Sequence, residues 1–177
     1  QMCIRDRYYT NNVDDITKAD IILLPGSKNT LDDLYELRRN GVAQAILKAS
    51  QEGATVMGIC GGYQMMGLEV RDPEGVEGNV RMLPGLGLLP VITTMQGDKV
   101  TRQVEFTFDG TEALCKGYEI HMGRTVPAEG SPPSPFNQLA DGREDGYQDK
   151  QKKCLGTYIH GILDNQPFID FLLAPYI

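Results

Sequence analysis

The chain has 177 residues, enough for one domain with its own core, and its 41% hydrophobic and 23% charged composition is that of an ordinary soluble protein. A formal net charge of -7 argues against nucleic acid or an anionic membrane as partner, because both attract basic surfaces. No apolar run could span a bilayer and no signal peptide begins the chain, so we expect a cytoplasmic protein.

The first predicted elements are a buried strand and two helices. Residues 21–24 form an apolar run that ends at Pro25-Gly26, which is typical of a strand in a parallel sheet. Asn29 or Thr30 can cap a helix that stops near residues 40–41. Apolar residues then recur at helical spacing, which predicts a second helix over residues 42–51.

A second strand and a turn follow. Residues 54–59 predict another buried strand, Gly61-Gly62 predicts a tight turn, and residues 63–68 begin a helix. The order strand, helix, strand, turn, helix is typical of a doubly wound α/β sheet.

The second half of the chain predicts a different arrangement. Residues 86–93, 100–108 and 118–122 are rich in β-branched and aromatic residues without long helices between them. Residues 154–159 predict the last strand, and residues 167–173 begin a helix that the chain end cuts off. We therefore expect a mixed sheet with an antiparallel part.

The sequence around Cys60 has the context of a nucleophile elbow. Cys60 stands between a buried strand and a helix, where a sharp turn exposes the side chain and the small residues Gly58 and Gly62 leave room. The helix N-terminus favours the thiolate, and the backbone N–H of Gly61 points toward a developing oxyanion. A structural cysteine beside a glycine-rich turn is an equally good interpretation of this motif alone.

Two histidines are candidates for the base that a cysteine nucleophile needs. His160 lies at the end of the last predicted strand, at the sheet edge where α/β active sites collect. His121 lies within a strand, where a structural hydrogen bond is the better interpretation. Gly26 follows the first strand and could bring a backbone N–H near a substrate carbonyl, or simply form the turn into the helix.

At these residues the sequence resembles the class I (triad) glutamine amidotransferases, and within them the cobyric acid synthase type. The most specific motifs are Pro-Gly-Ser-Lys-Asn-Thr at 25–30 and Gly-Tyr-Glu-Ile-His-Met-Gly-Arg-Thr at 117–125, while the elbow is shared more widely. The resemblance extends from about residue 20 to near the chain end, and the matching segments are 24–30, 58–65, 84–91, 117–124 and 156–165.

The resemblance implies an α/β, flavodoxin-like glutaminase fold, with a mixed, mostly parallel sheet and flanking helices. Cys60 would be the nucleophile and His160 the base. Gly26 and Gly61 would supply the oxyanion hole, and Gln64 would lie near the bound glutamine.

The reaction implied is glutamine hydrolysis that supplies ammonia for ATP-dependent amidation of adenosylcobyrinic acid a,c-diamide carboxylates in cobalamin biosynthesis. ATP, magnesium and most of the corrinoid contacts would belong to a separate N-terminal synthetase domain. The present chain has no G-x-x-x-x-G-K-[ST] loop, and we expect no cofactor or metal in it.

The sequence departs from the class pattern in two places. Many class I enzymes carry Glu two residues after the base, where this chain has Ile162, so Glu119 and Asp164 become the candidates to orient His160. We also expect residues 1–19 to be an N-terminal segment, of which 1–7 are foreign, ahead of a C-terminally truncated amidotransferase domain at 20–177.

Two alternatives stay open at this point. The chain could be the glutaminase subunit of another triad amidotransferase, such as the lipid II amidating type, which shares a similar elbow. It could also be a non-catalytic sensor in which Cys60 is oxidised instead of acylated. The 117–125 motif argues against the first alternative, and the pairing of a cysteine with a histidine argues against the second.

Overall fold

The structure is a computed structural model that describes residues 9–177. Cys3 and the predicted foreign segment 1–7 lie outside the described residues. The helices within this range are α1 (Val13–Thr17), α2 (Thr30–Arg39), α3 (Val42–Gln51), α4 (Gly61–Met66) and α5 (Gln166–Leu173). The strands are β1 (Ile21–Leu24), β2 (Thr55–Ile59), β3 (Glu69–Arg71), β4 (Met82–Pro84), β5 (Val91–Phe108), β6 (Cys115–Pro127), β7 (Asn137–Leu139), β8 (Glu144–Asp145), β9 (Tyr147–Asp149), β10 (Cys154–Thr157) and β11 (Ile159–His160).

The first sheet has the strand order β1-β2-β10-β9. Strands β1, β2 and β10 are parallel, and β9 runs antiparallel to β10 at the edge. Val56 and Met57 in the central strand β2 are fully buried, as a strand covered on both faces requires. The βαβ arrangement predicted for the first half of the chain is confirmed.

Helices α2 and α3 form as their sequence signals indicate. The side chain of Asn29 caps α2 by accepting a hydrogen bond from the backbone N–H of Asp32. Helix α3 spans residues 42–51, as predicted, and its apolar stripe is buried against the first sheet. These helices therefore hold the ends of β1 and β2 in place.

The second sheet is built on the long antiparallel pair β5–β6 and has the order β11-β6-β5-β3-β4, with β7 paired to β5 and β8 paired to β7. Three of the nine strand pairings within residues 9–177 are parallel. The predicted mixed α/β class is thus confirmed: the first sheet is mostly parallel, and the antiparallel part expected in the second half of the chain forms most of the second sheet. The strand predicted at 86–93 begins only at Val91, because the backbone turns at Gly87 with φ of 73°.

The last strand crosses from one sheet to the other. The prediction of one strand over 154–159 was wrong, because β10 ends at Thr157 and the chain bends at Tyr158. Strand β11 then pairs His160 with Tyr118 in the second sheet. His160 therefore lies where the two sheets meet, beside the ends of β1 and β2.

The C-terminal helix closes the first sheet. Helix α5 ends at Leu173, and a 3-10 turn over Ala174–Tyr176 follows it. The hydroxyl of Tyr176 donates to the carbonyl of Asp20 and lies 2.6 Å from the hydroxyl of Thr55. No helix in residues 9–177 has both the length and the apolar character needed to cross a membrane.

Candidate active site

Cys60 has the strained backbone predicted for a nucleophile elbow. Its φ of 54° and ψ of -112° lie in a region that residues with a Cβ rarely adopt. Glycine is required beside it, because a Cβ on Gly62 would lie 2.0 Å from the carbonyl oxygen of Leu24. A Cβ on Gly58 would likewise lie 2.6 Å from the backbone of Gly62. The close packing of α4 on β1 and β2 thus forces the turn that presents the half-buried thiol.

The side chains of Cys60 and His160 meet at one backbone oxygen. The Sγ of Cys60 and the Nε2 of His160 each lie 3.3 Å from the carbonyl oxygen of Ile120 on β6. The sulfur and the ring nitrogen are therefore separated by no more than the sum of those two distances. Residues a hundred positions apart in sequence are brought together, as a cysteine–histidine pair requires.

This geometry describes a resting state of the pair. A carbonyl oxygen only accepts hydrogen bonds, so the contact with Ile120 requires a proton on Nε2 of His160 and another on Sγ of Cys60. Burial raises the pKa of the Cys60 thiol, the N–H of Gly61 partly offsets it, and the carboxylate of Glu77 raises it again. The thiol form is therefore favoured in this state, and not the thiolate that the sequence predicted, because burial raises the pKa more than the N–H of Gly61 lowers it.

Gly26 and Gly61 lie against the pair. A Cβ built on Gly26 would lie 3.2 Å from Cε1 of His160 and 3.8 Å from Cβ of Cys60. A Cβ on Gly61 would lie 2.9 Å from the backbone nitrogen of Ser27, so the two predicted oxyanion-hole loops are adjacent. A side chain at Gly26 would crowd the ring of His160, and one at Gly61 would overlap Ser27, so the two glycines let these segments pack closely beside Cys60.

Gln64 lies behind the pair. Its side chain is buried, its Nε2 donates to the carbonyl of Met122 and to the hydroxyl of Tyr158, and its Oε1 accepts from Thr30. Its amide is thus committed to protein partners, and in this structure it supports the elbow helix instead of reaching the surface of the site.

Neither carboxylate proposed to orient His160 is hydrogen-bonded to it within the described residues. Glu119 instead binds Nε2 of His121 at 3.0 Å and Nη2 of Arg143 at 3.1 Å. Its side chain therefore belongs to a separate polar cluster beside β6. Asp164 is exposed on the turn after β11, with its carboxylate folded toward Gly161.

His121 has the structural hydrogen bonds that its strand position predicted. Its Nδ1 lies 3.1 Å from the carbonyl of Gly123, and its ring stacks on Tyr158 with centroids 3.9 Å apart.

Burial alone would raise the pKa of Glu119, but hydrogen bonds from His121 and Arg143 and their charges hold that pKa below its usual range. This cluster fixes the part of β6 that carries the Ile120 carbonyl.

Two contributors to the site were not predicted from the sequence. The Ile120 carbonyl is a backbone group, and any residue type would supply it. Tyr158 reaches Gln64 and Thr125 through its hydroxyl, and burial raises its pKa to about 12. The bend that turns Tyr158 inward had no local signal, since residues 154–159 have the pattern of one continuous strand.

The fold and the site together define the class of protein. A solved structure described as a glutamine amidotransferase superposes with a TM-score of 0.65 at 16% identity, and the match covers 93% of this chain and 83% of that one. This likeness shows that the chain shares the fold of that protein, in agreement with the flavodoxin-like α/β fold that the sequence predicted. The elbow and the histidine occupy adjoining strand ends of that fold.

The sequence comparisons place the chain within this class. Residues 3–168 match the CobB/CobQ-like glutamine amidotransferase domain, and the chain belongs to that family. Proteins named cobyric acid synthase from Phocaeicola vulgatus and Bacteroides fragilis are 72% and 68% identical over 169 residues, which are 96% of this chain and 34% of each relative. The one from Parabacteroides distasonis is 56% identical over 167 residues, 93% of this chain and 34% of the relative. The chain thus spans about a third of the length of these curated relatives.

Proposed function

We propose that this domain hydrolyses glutamine and supplies the ammonia to a synthetase domain that amidates a corrinoid. The observation that carries the proposal is the meeting of Cys60 and His160 at one point beside Gly26, in a chain that belongs to an amidotransferase family. The strained elbow supports it, because backbone strain is retained where it serves a site.

The chemistry proceeds in two displacement steps. In the tautomer that leaves Nε2 unprotonated, His160 takes the proton of Cys60, and the sulfur attacks the carboxamide carbon of glutamine. The N–H groups of Gly26 and Gly61 stabilise the oxyanion, and the proton on His160 passes to the leaving nitrogen to release ammonia. Water, deprotonated by the same ring, then hydrolyses the thioester to glutamate and returns the thiol.

The raised pKa of Cys60 makes the base necessary in this proposal. A thiol held neutral by burial does not attack a carboxamide unaided. Nε2 must leave the Ile120 carbonyl before it can accept the thiol proton, so substrate binding has to displace one contact. His160 therefore has two roles in turn, as base and as acid.

The whole-protein reaction follows from the relatives and from the resemblance. The curated relatives carry the name cobyric acid synthase, which supports a corrinoid over the lipid II alternative. ATP and magnesium would bind in the synthetase domain and not in this chain. Cys60, Cys115 and Cys154 are unpaired within residues 9–177, which supports a cytoplasmic location.

The test uses a chimera in which this chain replaces the matching third of the Phocaeicola vulgatus relative. In Cys60→Ser, glutamine-dependent amidation should fall below detection, while amidation with added ammonia should stay within about twofold of the unmutated chimera, since the ligase step needs no thiol. Amide formation on the corrinoid is measured by mass spectrometry. Persistence of the glutamine-dependent reaction would exclude Cys60 as the nucleophile, and equal loss of both reactions in folded protein would show that Cys60 has another role.

A further inference from the structure

Asp145 is a buried carboxylate whose two oxygens are both engaged at the bend between β10 and β11. Its Oδ1 accepts the backbone N–H of Tyr158 at 3.0 Å. Its Oδ2 accepts the hydroxyl of Thr157 and the Nδ2 of Asn137, the latter at 2.9 Å. Burying a carboxylate is unfavourable unless such bonds compensate, so these bonds tie the bend firmly to Asp145.

The same bend is bonded to the backbone of Cys60. The N–H of Cys60 donates to the carbonyl of Thr157 at 2.8 Å, so the elbow is attached to the residue whose hydroxyl Asp145 binds. Tyr158 extends this link, because its hydroxyl accepts from Gln64 and its ring packs edge-on against Tyr63 on the elbow helix. A displacement of the bend would therefore move Cys60.

His160 depends on the bend as well. The N–H of Ile159 donates to the hydroxyl oxygen of Thr157 at 3.0 Å, and His160 is the next residue along β11. Asp145 thus sets the direction in which the chain leaves the first sheet. That direction decides where the ring of His160 projects relative to the sulfur.

We propose that Asp145 is the positioning residue of this site: it holds the bend at residues 157–159, to which Cys60 is hydrogen-bonded and from which His160 projects. The proposal rests on the proposed function, since it assigns Asp145 to the Cys60–His160 pair. Many class I enzymes have a Glu two residues after the base, and this Glu orients the histidine. This chain has Ile162 at that position, so another residue has to orient His160, and the proposal assigns that role to Asp145. Here the orientation is delivered through the backbone and not by a carboxylate on the imidazole.

Two variants of Asp145 should slow labelling to different extents, because Asn137 can compensate for one of them. Its Oδ1 is buried without a hydrogen-bond partner within the described residues. In Asp145→Asn, a flip of the Asn137 amide can turn this oxygen toward the new Nδ2, and the acceptor for Tyr158 is kept. Asp145→Ala removes both acceptors. Glu144→Gln is the matched control, because Glu144 is the exposed neighbour on the same strand.

The experiment measures how fast Cys60 is alkylated by 6-diazo-5-oxo-L-norleucine, a glutamine-directed electrophile, in the 177-residue chain. We expect Asp145→Ala to slow labelling about 10-fold or more, because small displacements of reacting groups cost rates of this size, and Asp145→Asn to slow it less. The pH profile of labelling by the alanine variant should also move toward that of His160→Ala, which a purely structural defect would not cause. Glu144→Gln should stay within about twofold of the unmutated chain.

The outcomes separate this proposal from the proposed function. A folded Asp145→Ala with the unmutated rate and pH profile would overturn the positioning role. If the alanine variant does not fold, as judged by circular dichroism, Thr157→Val takes its place, because it removes the hydroxyl that binds both Asp145 and Ile159. A folded Thr157→Val with the unmutated rate and profile would overturn the positioning role. Failure of the unmutated, folded chain to be labelled at Cys60 would instead overturn the proposed function, and the present proposal with it.

Discussion

Cys60 shows how burial decides the state of a nucleophile. The turn at Cys60 and the N-terminus of α4 are both present, but the thiol is half-buried and its pKa is raised, chiefly by that burial. The Nε2 of His160 lies 3.3 Å from the same Ile120 oxygen that the Cys60 thiol contacts. The resting site therefore holds a neutral thiol, and its reactivity depends on transfer of the thiol proton to this ring.

Glu119 gives a prediction at the same scale. Its buried side chain binds His121 and Arg143 and lies 3.6 Å from Arg102. We expect Glu119→Gln to lower the free energy of unfolding at pH 7 by about 1–2 kcal/mol, because bonds to charged groups are lost but the arginines are partly exposed and screened. Urea denaturation of the 177-residue chain measures this difference. The control is Glu105→Gln on β5, since Glu105 is exposed and has no ion pair within the described residues.

The pH dependence of that difference has a definite sign. The pKa of Glu119 is lowered in the folded state, so its stabilisation is complete above the unfolded value of about 4.3 and is lost as pH falls through the folded value. The difference in stability between the unmutated chain and Glu119→Gln should therefore shrink as the pH falls below about 4.3 and vanish once the pH is well below the folded value. A difference that stayed constant from pH 7 to pH 3.5 would contradict the assignment to the charged form.

At the scale of the elements, the glycines of the elbow are packing requirements. A Cβ on Gly62 would overlap the carbonyl of Leu24, which belongs to the rigid strand β1. We expect Gly62→Ala to cost about 3 kcal/mol or more, the upper range for overpacking, because neither backbone can yield. Thermal unfolding of purified protein measures it.

Gly97 is the matched control for that prediction. It lies in the irregular part of β5, and its φ is not in the left-handed range. Apart from its two chain neighbours, no residue has an atom within 4 Å of the position that a Cβ would take. Gly97→Ala should therefore change the stability by less than about 1 kcal/mol. Equal tolerance of alanine at Gly62 and Gly97 would show that α4 can move away from β1.

The elements that sequence predicts well are those whose signals are local. Asn29 caps α2, the apolar stripe of α3 ends where predicted, and β1 and β2 are continuous apolar runs. The bend at Tyr158 had no such signal, because it depends on Asp145, which lies 13 residues earlier. Strand β5 runs unbroken through a polar stretch because β6 pairs with it on both sides of a bulge between Thr94 and Lys99.

The same division applies to the site. The elbow and the histidine at a strand end were visible in the sequence, because strand ends and glycine turns are local features. The bond between Glu119 and Arg143 was not visible, since Arg143 comes from another part of the chain. The bonds of the Gln64 amide with Thr30 and Met122 were not visible for the same reason, and its place near a bound glutamine stays a prediction. Hydrogen-bond partners depend on packing, which periodicity does not report.

At the scale of the whole molecule, the site lies where the two sheets meet. Both buried clusters contain residues of both sheets: Val56 and Val91 belong to one cluster, and Met57 and Phe106 belong to the other. Cys60 is attached to the first sheet, while His160 and the Ile120 carbonyl belong to the second. A small shift between the sheets would therefore alter the sulfur-to-ring geometry directly.

This arrangement predicts weak turnover by the 177-residue chain alone. The chain spans 34% of the Phocaeicola vulgatus relative, and ammonia released without an acceptor is wasted, so coupling between the halves is expected as a free energy shared by two sites. The contacts of Cys60 and His160 with the Ile120 carbonyl compete with the productive contact between the sulfur and the ring. A productive pair that is populated at about 1% turns over about 100-fold more slowly than one that is fully populated.

Glutamate release, measured by a coupled dehydrogenase assay, should be at least about 10-fold slower for the isolated chain than for the chimera supplied with ATP and corrinoid. Labelling of Cys60 by 6-diazo-5-oxo-L-norleucine should still go to completion in the isolated chain. Alkylation is irreversible, so labelled protein accumulates even when the reactive arrangement is rarely populated. The turnover rate, in contrast, is reduced in proportion to that population. Cys60→Ser is the control for both measurements. Turnover by the isolated chain at the rate of the supplied chimera would refute the coupling, and the second sheet would then hold the productive geometry without help from the rest of the protein.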